Sequence, residues 1–448
     1  MASAAGMAAD SKDAVNRETY LKHLLTQASA AADESFLGLK ALRQRAIALV
    51  GERAFPSRRD EEWRFTDLAD MLSVPLERSR ASATTSLDDQ VNEYLTSFSS
   101  EAQLVTVDGH FASASSSLVN AHGVVVAPLS QLLKNSDYAE QVQTILTDRL
   151  AQVPGGGEVF TALNSAGFND VMVVWLQADQ VLDGPVHIVR GSQGGSISHL
   201  RSLIIAERHA NLTLVETFLG GDSQARCNNS VTEIWLGEGA QVNHIRLQDE
   251  AQTTFHIGKT AVDQAANSQY RCTAIDLGAK LSRHHLEVYQ SGPQTDTHLY
   301  GLSAIGDRQL ADTHSSLTLT YPHGGATQIQ KNIVDDRAHS VFNGKVYVSQ
   351  AAQLTDASQL NRNLMLSNKA RVDTKPELDI VADNVKCAHG ATVSQLQADE
   401  IFYLQSRGIS ASQAQRLLLY GFAMEIVEKI SVDALKRSLS ERLTEWAN

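Results

Sequence analysis

Cysteine is scarce in this chain: three thiols, Cys227, Cys272 and Cys387, are spread over 448 residues. No C-x-x-C occurs, which excludes a zinc ribbon and an iron–sulfur cluster held wholly by this chain's thiols. The odd count and wide spacing argue against a disulfide framework and point to a reducing compartment. Basic charge is also short. Lys and Arg total 38 against 51 Asp and Glu, a net charge of -13, which argues against broad attraction to nucleic acid or anionic membrane. Long hydrophobic runs are missing; Val171–Leu176 and Leu203–Ala206 have strand length, too short for a transmembrane helix. The segment from Met1 to Asp13 is rich in alanine but lacks a basic n-region and an apolar core, and no arginine precedes Arg17. A secretory signal or transit peptide is therefore not expected, and a bacterial-type cytoplasm is the expected location.

What remains, 43% hydrophobic and 20% charged residues, describes a soluble globular protein of two or three domains, or one elongated core with appendages. Residues 1–165 read as a helical and mixed region. Tyr20, Leu21, Leu24 and Leu25 form one helical stripe, and Phe36, Leu39, Leu42, Ile47 and Leu49 contribute to a second that ends before Phe55-Pro56. A compact polar–aromatic segment, Glu61-Glu62-Trp63-Arg64-Phe65-Thr66-Asp67-Leu68, follows. Serine and threonine crowd residues 81–100, suggesting an exposed connection. Strands are expected at Leu104–Val107 and Gly123–Val126, then one helix from Leu129 to Leu150 and a break at Pro154-Gly155-Gly156-Gly157.

Residues 166–395 carry short β-rich runs with hardly any proline: Val171–Leu176, Leu203–Ala206, Leu212–Phe218, Glu233–Leu236, Ser316–Tyr321 and Lys345–Val348. A phrase Ala-x-Leu/Val recurs at Ala210, Ala240, Ala279, Ala352, Ala370 and Ala391. The last three lie close to the roughly 20-residue lower end of solenoid periods. A small residue at an inward corner followed by an aliphatic one suits stacked coils, so the region reads as a parallel β-helix, with a string of antiparallel hairpins as the alternative. Residues 396–448 are expected to be helical. Arg407-Gly408 supplies a stop, Ser410 an N-cap with Gln413 in capping-box position, and Leu435, Leu439, Leu443 and Trp446 a last amphipathic stripe. These helices are placed to cap an open solenoid end or to face another protein.

Among polar residues, His284-His285, His314, His323 and His339 read as structural or surface groups. Adjacent histidines on a strand point to opposite faces, and no spacing among the others matches a closed metal site. Asp276 and Asp335-Asp336 read as solvated turn residues. Gly155-Gly156-Gly157 and Tyr321-Pro322-His323-Gly324-Gly325 lack the lysine and strand-to-helix context of a phosphate loop. Cys387 and His389 stand apart. On a strand both leave the same face, separated by roughly 6.7 Å of rise. Three readings are open: a buried thiol beside a hydrogen-bonded histidine, a Cys/His nucleophile pair without a third group, or half a transition-metal or cluster site completed by another chain.

The run Lys386-Cys387-Ala388-His389-Gly390-Ala391-Thr392-Val393, with Ile401-Phe402-Tyr403-Leu404-Gln405-Ser406-Arg407-Gly408-Ile409, closely resembles the C-terminal signature of the SufB/SufD family, scaffold subunits of the SUF iron–sulfur assembly machinery, on its SufD branch. Asn361-Arg362-Asn363-Leu364-Met365-Leu366-Ser367, Asp373-Thr374-Lys375-Pro376-Glu377-Leu378 and the Glu61–Leu68 segment are similar to that family too. Ala388 replaces a common serine and Ser394 a common glycine; neither removes a donor. The resemblance implies a right-handed parallel β-helix between helical ends and a non-enzymatic scaffold in complex with SufB and the ATPase SufC. It implies a nascent iron–sulfur cluster, or iron, held transiently with SufB by His389 and more weakly by Cys387, and a SufC-docking zone that includes Phe402, Tyr403, Arg407 and Gly408. A reduced flavin is associated with the family's complex, although no residue here marks its site, and the isolated chain is a candidate homodimer. The competing reading is a carbohydrate-acting β-helix enzyme, a lyase or esterase. It requires a groove of carboxylates and basic residues on consecutive rungs, which is not evident. A third is a structural β-helix with no metal role.

Overall fold

The computed structural model describes residues 2–30, 39–79, 91, 94, 100–121, 123–134, 139–154, 157–221 and 224–446. The expected Phe36, Gly155, Gly156 and most of the serine-rich stretch lie outside them. The three described residues within that stretch are not exposed: Val91 is buried, Ser100 is half-buried, and the half-buried Tyr94 has its hydroxyl 2.8 Å from Thr217 Oγ1.

The β-rich runs form a parallel β-solenoid of about eight turns. Successive strands alternate between two sheets. One sheet of eleven strands ends with Gly-free edge strand Arg371–Ile380; the other, of ten, ends with Lys386–Ser394. Both sheets reach N-terminal of residue 166. Ala102–Val107 pairs in parallel with Val186–Ser192, and Val124–Pro128 pairs antiparallel with Val171–Leu176.

The coil repeat is longer than the roughly 20 residues that the alanine phrases suggested. Residues 211, 241, 269, 296, 325, 356 and 386 are register partners, a step of 27 to 31 residues. Each coil contributes two strands and two principal corners, so neighbouring phrases sat on different sides of the coil. At one corner a left-handed residue recurs once per coil: Asp179, His209, Gly239, Asn267, Gln294, His323 and Leu354. Ala210 and Ala240 directly follow it and are fully buried, as a crowded inward corner requires. Ala279 is itself left-handed at another corner, whereas Ala391 lies in mid-strand and exposed.

Between the sheets one half of the interior is apolar. Ile204, Ile234, Val262, Val288, Leu317, Val346 and Leu378 stack in register and belong to or pack against the largest apolar cluster. Full burial of such side chains stabilises by about 1.5–3 kcal/mol each. The other half is polar. Arg246 donates to Asp276 (2.9 Å) and to His256 Nε2 (2.7 Å), and His256 Nδ1 lies 2.7 Å from Glu250. Asp276 is therefore buried in an ion pair, not solvated in a turn as expected. Towards the C-terminal end the polar filling turns neutral: Gln328 with Gln359, Gln330 with Asn332, and Asn332 with Asn363 form an amide ladder.

Glu216 Oε2 lies 3.2 Å from His244 Nε2 in this interior. Burial pushes the Glu216 carboxyl up, but the hydrogen bond and charge of His244, with Arg190 and Ser202, outweigh it and hold the group at about 2, below its ordinary 4.5. Burial pulls His244 down, yet contacts with Cys272 and Glu216 outweigh that and raise it from 6.5 to about 9. By linkage, the stability contributed by a raised histidine is complete below pH 6.5 and lost as pH climbs through 9. That of a depressed carboxylate is complete above pH 4.5 and lost as pH falls through 2. Urea midpoints measured across pH are expected to decline on both flanks, with the alkaline decline flattened in Glu216→Gln, where His244 has no carboxylate to raise it.

Helices Ala2–Ser29, Lys40–Gly51 and Val159–Gly167 cover the outer face of the eleven-stranded sheet. The expected helix over 129–150 is two helices, Leu129–Leu132 and Ala139–Asp148. The Glu61–Leu68 segment is a clamp: Arg283 stacks on Trp63 with its guanidinium carbon 4.0 Å from the ring centroid, and the buried carboxylate of Asp312 accepts from Thr66 Oγ1 and Arg283. His314 sits 3.2 Å from Glu62, and His339 2.7 Å from Asp373, both structural roles. His284 is buried facing Thr260 at 3.0 Å while His285 faces Glu287 on the opposite side at 3.2 Å.

The C-terminal helices Ala398–Ser406, Ala411–Val427 and Asp433–Trp446 do not cap the solenoid's open end. Leu419, Ala423, Ile426, Val427, Leu435, Leu439 and Leu443 pack on Ile245, Ile275, Leu302 and Ile333, on the flank of the ten-stranded sheet. Lys331 Nζ ties the flank to Phe422 O at 3.0 Å, and Asn243 reaches Ser431 at 2.6 Å. The Ser410–Gln413 capping box starts the middle helix, and Gly408, at φ +86°, ends the preceding one. The two last strands are consequently left open. Neither contains a buried residue, and each has a single neighbour in its sheet.

Candidate functional site at the open end

Strand Lys386–Ser394 is the edge that carries Cys387 and His389. It lies in parallel register on Asp356–Met365, with Cys387 over Ala357 and His389 over Gln359. Cys387 is half-buried against the last layer of the apolar core, and burial pushes its thiol up from 9.0. A thiol so placed is a poorer thiolate donor than an exposed one. His389 shares that face two residues on and is exposed. Pro376, without an N–H to give, stands in the neighbouring edge strand, where a proline is tolerated.

Among the described residues no group of three or more His, Cys, Asp or Glu side chains could hold a metal ion. The edge therefore offers one exposed imidazole and one half-buried thiol, a donor set that is incomplete within this chain. Unpaired strand backbone beside it, with Ile380, Val381 and Val393 exposed at 38%, 47% and 46%, is a template for another chain. The same interior column runs Gln328, Gln359, His389. Sequence reasoning missed Gln359, whose only signal is its spacing of one coil from each neighbour.

The expected docking residues fall elsewhere. Phe402 and Tyr403, exposed at 71% and 57%, lie on helix Ala398–Ser406, which buries none of its residues. The Arg407 guanidinium carbon sits 5.4 Å from the Tyr403 ring centroid, and Gly408 has open space around it. Two large apolar rings on an otherwise unburied helix form a second exposed surface on the C-terminal flank.

A parallel solenoid that ends in an open edge with a partial soft-donor set has the layout of a scaffold. The comparisons with known proteins agree. Residues 187–422 match the SufBD core domain of the SUF iron–sulfur cluster assembly system, and residues 14–188 match the SufBD N-terminal region. The chain is 42% identical over 414 residues to an iron–sulfur cluster assembly SufBD family protein of Synechocystis, covering 89% of each chain. It is 33% identical over 429 residues to the chloroplastic protein ABCI7 of Arabidopsis thaliana, covering 91% of this chain and 86% of that one. With the iron–sulfur cluster assembly protein SufD of Escherichia coli it shares 27% identity over 395 residues, 87% and 88% of the two chains. This chain belongs to the SufBD family and has its role in SUF iron–sulfur cluster assembly. Among the described residues no helix is long and apolar enough to cross a membrane.

Proposed function

We propose that the chain is a SufD-type scaffold subunit without catalysis of its own, which pairs with SufB through the open end and binds the ATPase SufC through the C-terminal helices. The observation that carries this reading is the exposed His389, with the half-buried Cys387 beside it and no group of three metal donors among the described residues, on a strand paired along one side alone. His389 supplies one iron ligand as neutral imidazole to a nascent cluster, sulfide and thiolate donors come mainly from SufB, and Cys387 is a weaker contributor. ATP-driven dimerisation of SufC strains the helix that carries Phe402 and Tyr403, and the movement opens the shared interface for transfer to acceptor proteins. Three free cysteines suit a reducing cytoplasm.

Co-expression with SufB and SufC tests the assembly. The chain is expected to co-purify with both, and that complex to load iron and sulfide. A chain that elutes alone, or a SufB–SufC pair that loads equally well without it, overturns the reading. Phe402→Ala and Tyr403→Ala are each expected to weaken SufC retention several-fold in a pull-down while leaving the urea midpoint unchanged, because neither ring is buried. Undiminished retention moves the docking surface elsewhere on these helices.

A further inference from the structure

The residue stacked directly beneath His389 is Gln359. Neighbouring rungs are about 4.8 Å apart, so side chains in register on one face lie within contact reach. Gln359 faces the interior: it is 3% exposed, between exposed Ser358 and Leu360. Its amide orientation is held from below. Nε2 donates to Gln328 Oε1 at 2.8 Å, and Gln328 Nε2 donates in turn to Ser315 Oγ at 2.7 Å. From the facing sheet Gly344 closes on the same amide, where a Cβ would meet Gln359 Nε2 at 2.3 Å. With the nitrogen committed downward, the oxygen is left over. Gln359 Oε1 is buried and accepts no hydrogen bond in this structure.

A buried amide oxygen without a donor is costly to keep. The side chain above it carries a ring N–H. An imidazole that binds a metal through one nitrogen ordinarily donates the hydrogen of the other to an oxygen, which selects the tautomer and aims the ring. We propose that Gln359 is the positioning residue for His389, its Oε1 accepting the inward ring N–H so that the outward nitrogen presents its lone pair at the open end. The inference rests on the reading of His389 as a ligand. The amide ladder below, Ser315, Gln328 and Gln359, then acts as a strut that transmits the order of the solenoid interior to the edge.

The test begins on the metal-free chain labelled with 15N-histidine, with the His389 ring signals assigned by their loss in His389→Gln. The wild type is expected to show one predominant neutral tautomer, Gln359→Met a mixture of both, and Gln359→Glu, which keeps an acceptor and is read at alkaline pH because a carboxylate favours the charged ring, one again. In the complex with SufB and SufC, Gln359→Met is expected to lower iron occupancy about tenfold or more, with recovery in Gln359→Glu. An unchanged tautomer in Gln359→Met overturns the proposal. If that variant does not fold, averaged tautomers in the wild type overturn it equally. Failure of the ligand reading looks different: a locked tautomer together with undiminished iron loading in His389→Ala removes the ligand, and the positioning role falls with it although the pairing stands.

Discussion

His389→Ala in this chain is expected to cut iron and sulfide loading of the assembled complex by at least about tenfold, the lower end of what loss of even an outer contact to a bound metal costs. The same substitution is expected to leave the complex and the fold intact. His389 is exposed and packs into no core cluster, so its removal costs about 1–3 kcal/mol at most, from the hydrogen bond proposed with Gln359, which is less than a domain's net stability. Cys387→Ala should behave in the opposite proportion. Its sulfur packs against the core layer and its thiol is pushed up by burial, so it gives up packing but little thiolate. Metal analysis and labile-sulfide determination on the purified complex, beside a urea curve for each chain, separate the two. Normal loading in His389→Ala sinks the ligand role. A loading defect that tracks the urea midpoint instead assigns the residue to structure.

The site and the fold were legible in the sequence to different depths. Cys387 and His389 could be found because their chemistry is rare here and their spacing is local. Ser410 with Gln413, and Gly408 as a stop, were found for the same reason: a helix terminus is decided within a few residues. The strands could be read from their β-branched runs, but the coil length could not. One left-handed corner position is filled in turn by Asp, His, Gly, Asn, Gln, His and Leu, because the demand there is on the backbone rather than on any one side chain. Alanine marked corners of two kinds and, at Ala391, none. The interior polar residues escaped for a related reason. Gln328, Gln359 and Asp276 alternate along strands as solvated residues do, and only the stacking of coils shows that their side faces inward. The C-terminal helices were legible as amphipathic, but which surface their apolar stripe covers depends on residues such as Ile245 and Ile333, about 170 and 90 residues upstream.

Asp276→Ala is expected to cost about 3–5 kcal/mol of stability, because it strands a buried cation. Arg246 is 1% exposed; it lies over the Phe218 ring, donates to Asp276, and gives its other terminal nitrogen to His256. A histidine carries no negative charge in either protonation state, so His256 cannot replace the one that is lost. Ser282, 3.0 Å from the Asp276 carboxylate, is likewise no substitute. The double variant Arg246→Met with Asp276→Leu removes both charges and fills the space with apolar atoms, and it should recover most of the loss, as buried pairs commonly allow. Urea unfolding of the three chains measures this directly. If the double variant is as damaged as Asp276→Ala, the cost lies in the packing around Phe218 and His256 and not in the uncompensated charge. Recovery instead assigns the pair's cost to the unpaired guanidinium, and leaves its retention in the interior to specificity: the pair ties strand Gln241–Glu250 to strand Gln269–Asp276, adjacent rungs of one sheet, and a one-residue slip of either strand would turn one of the two charges to the wrong face.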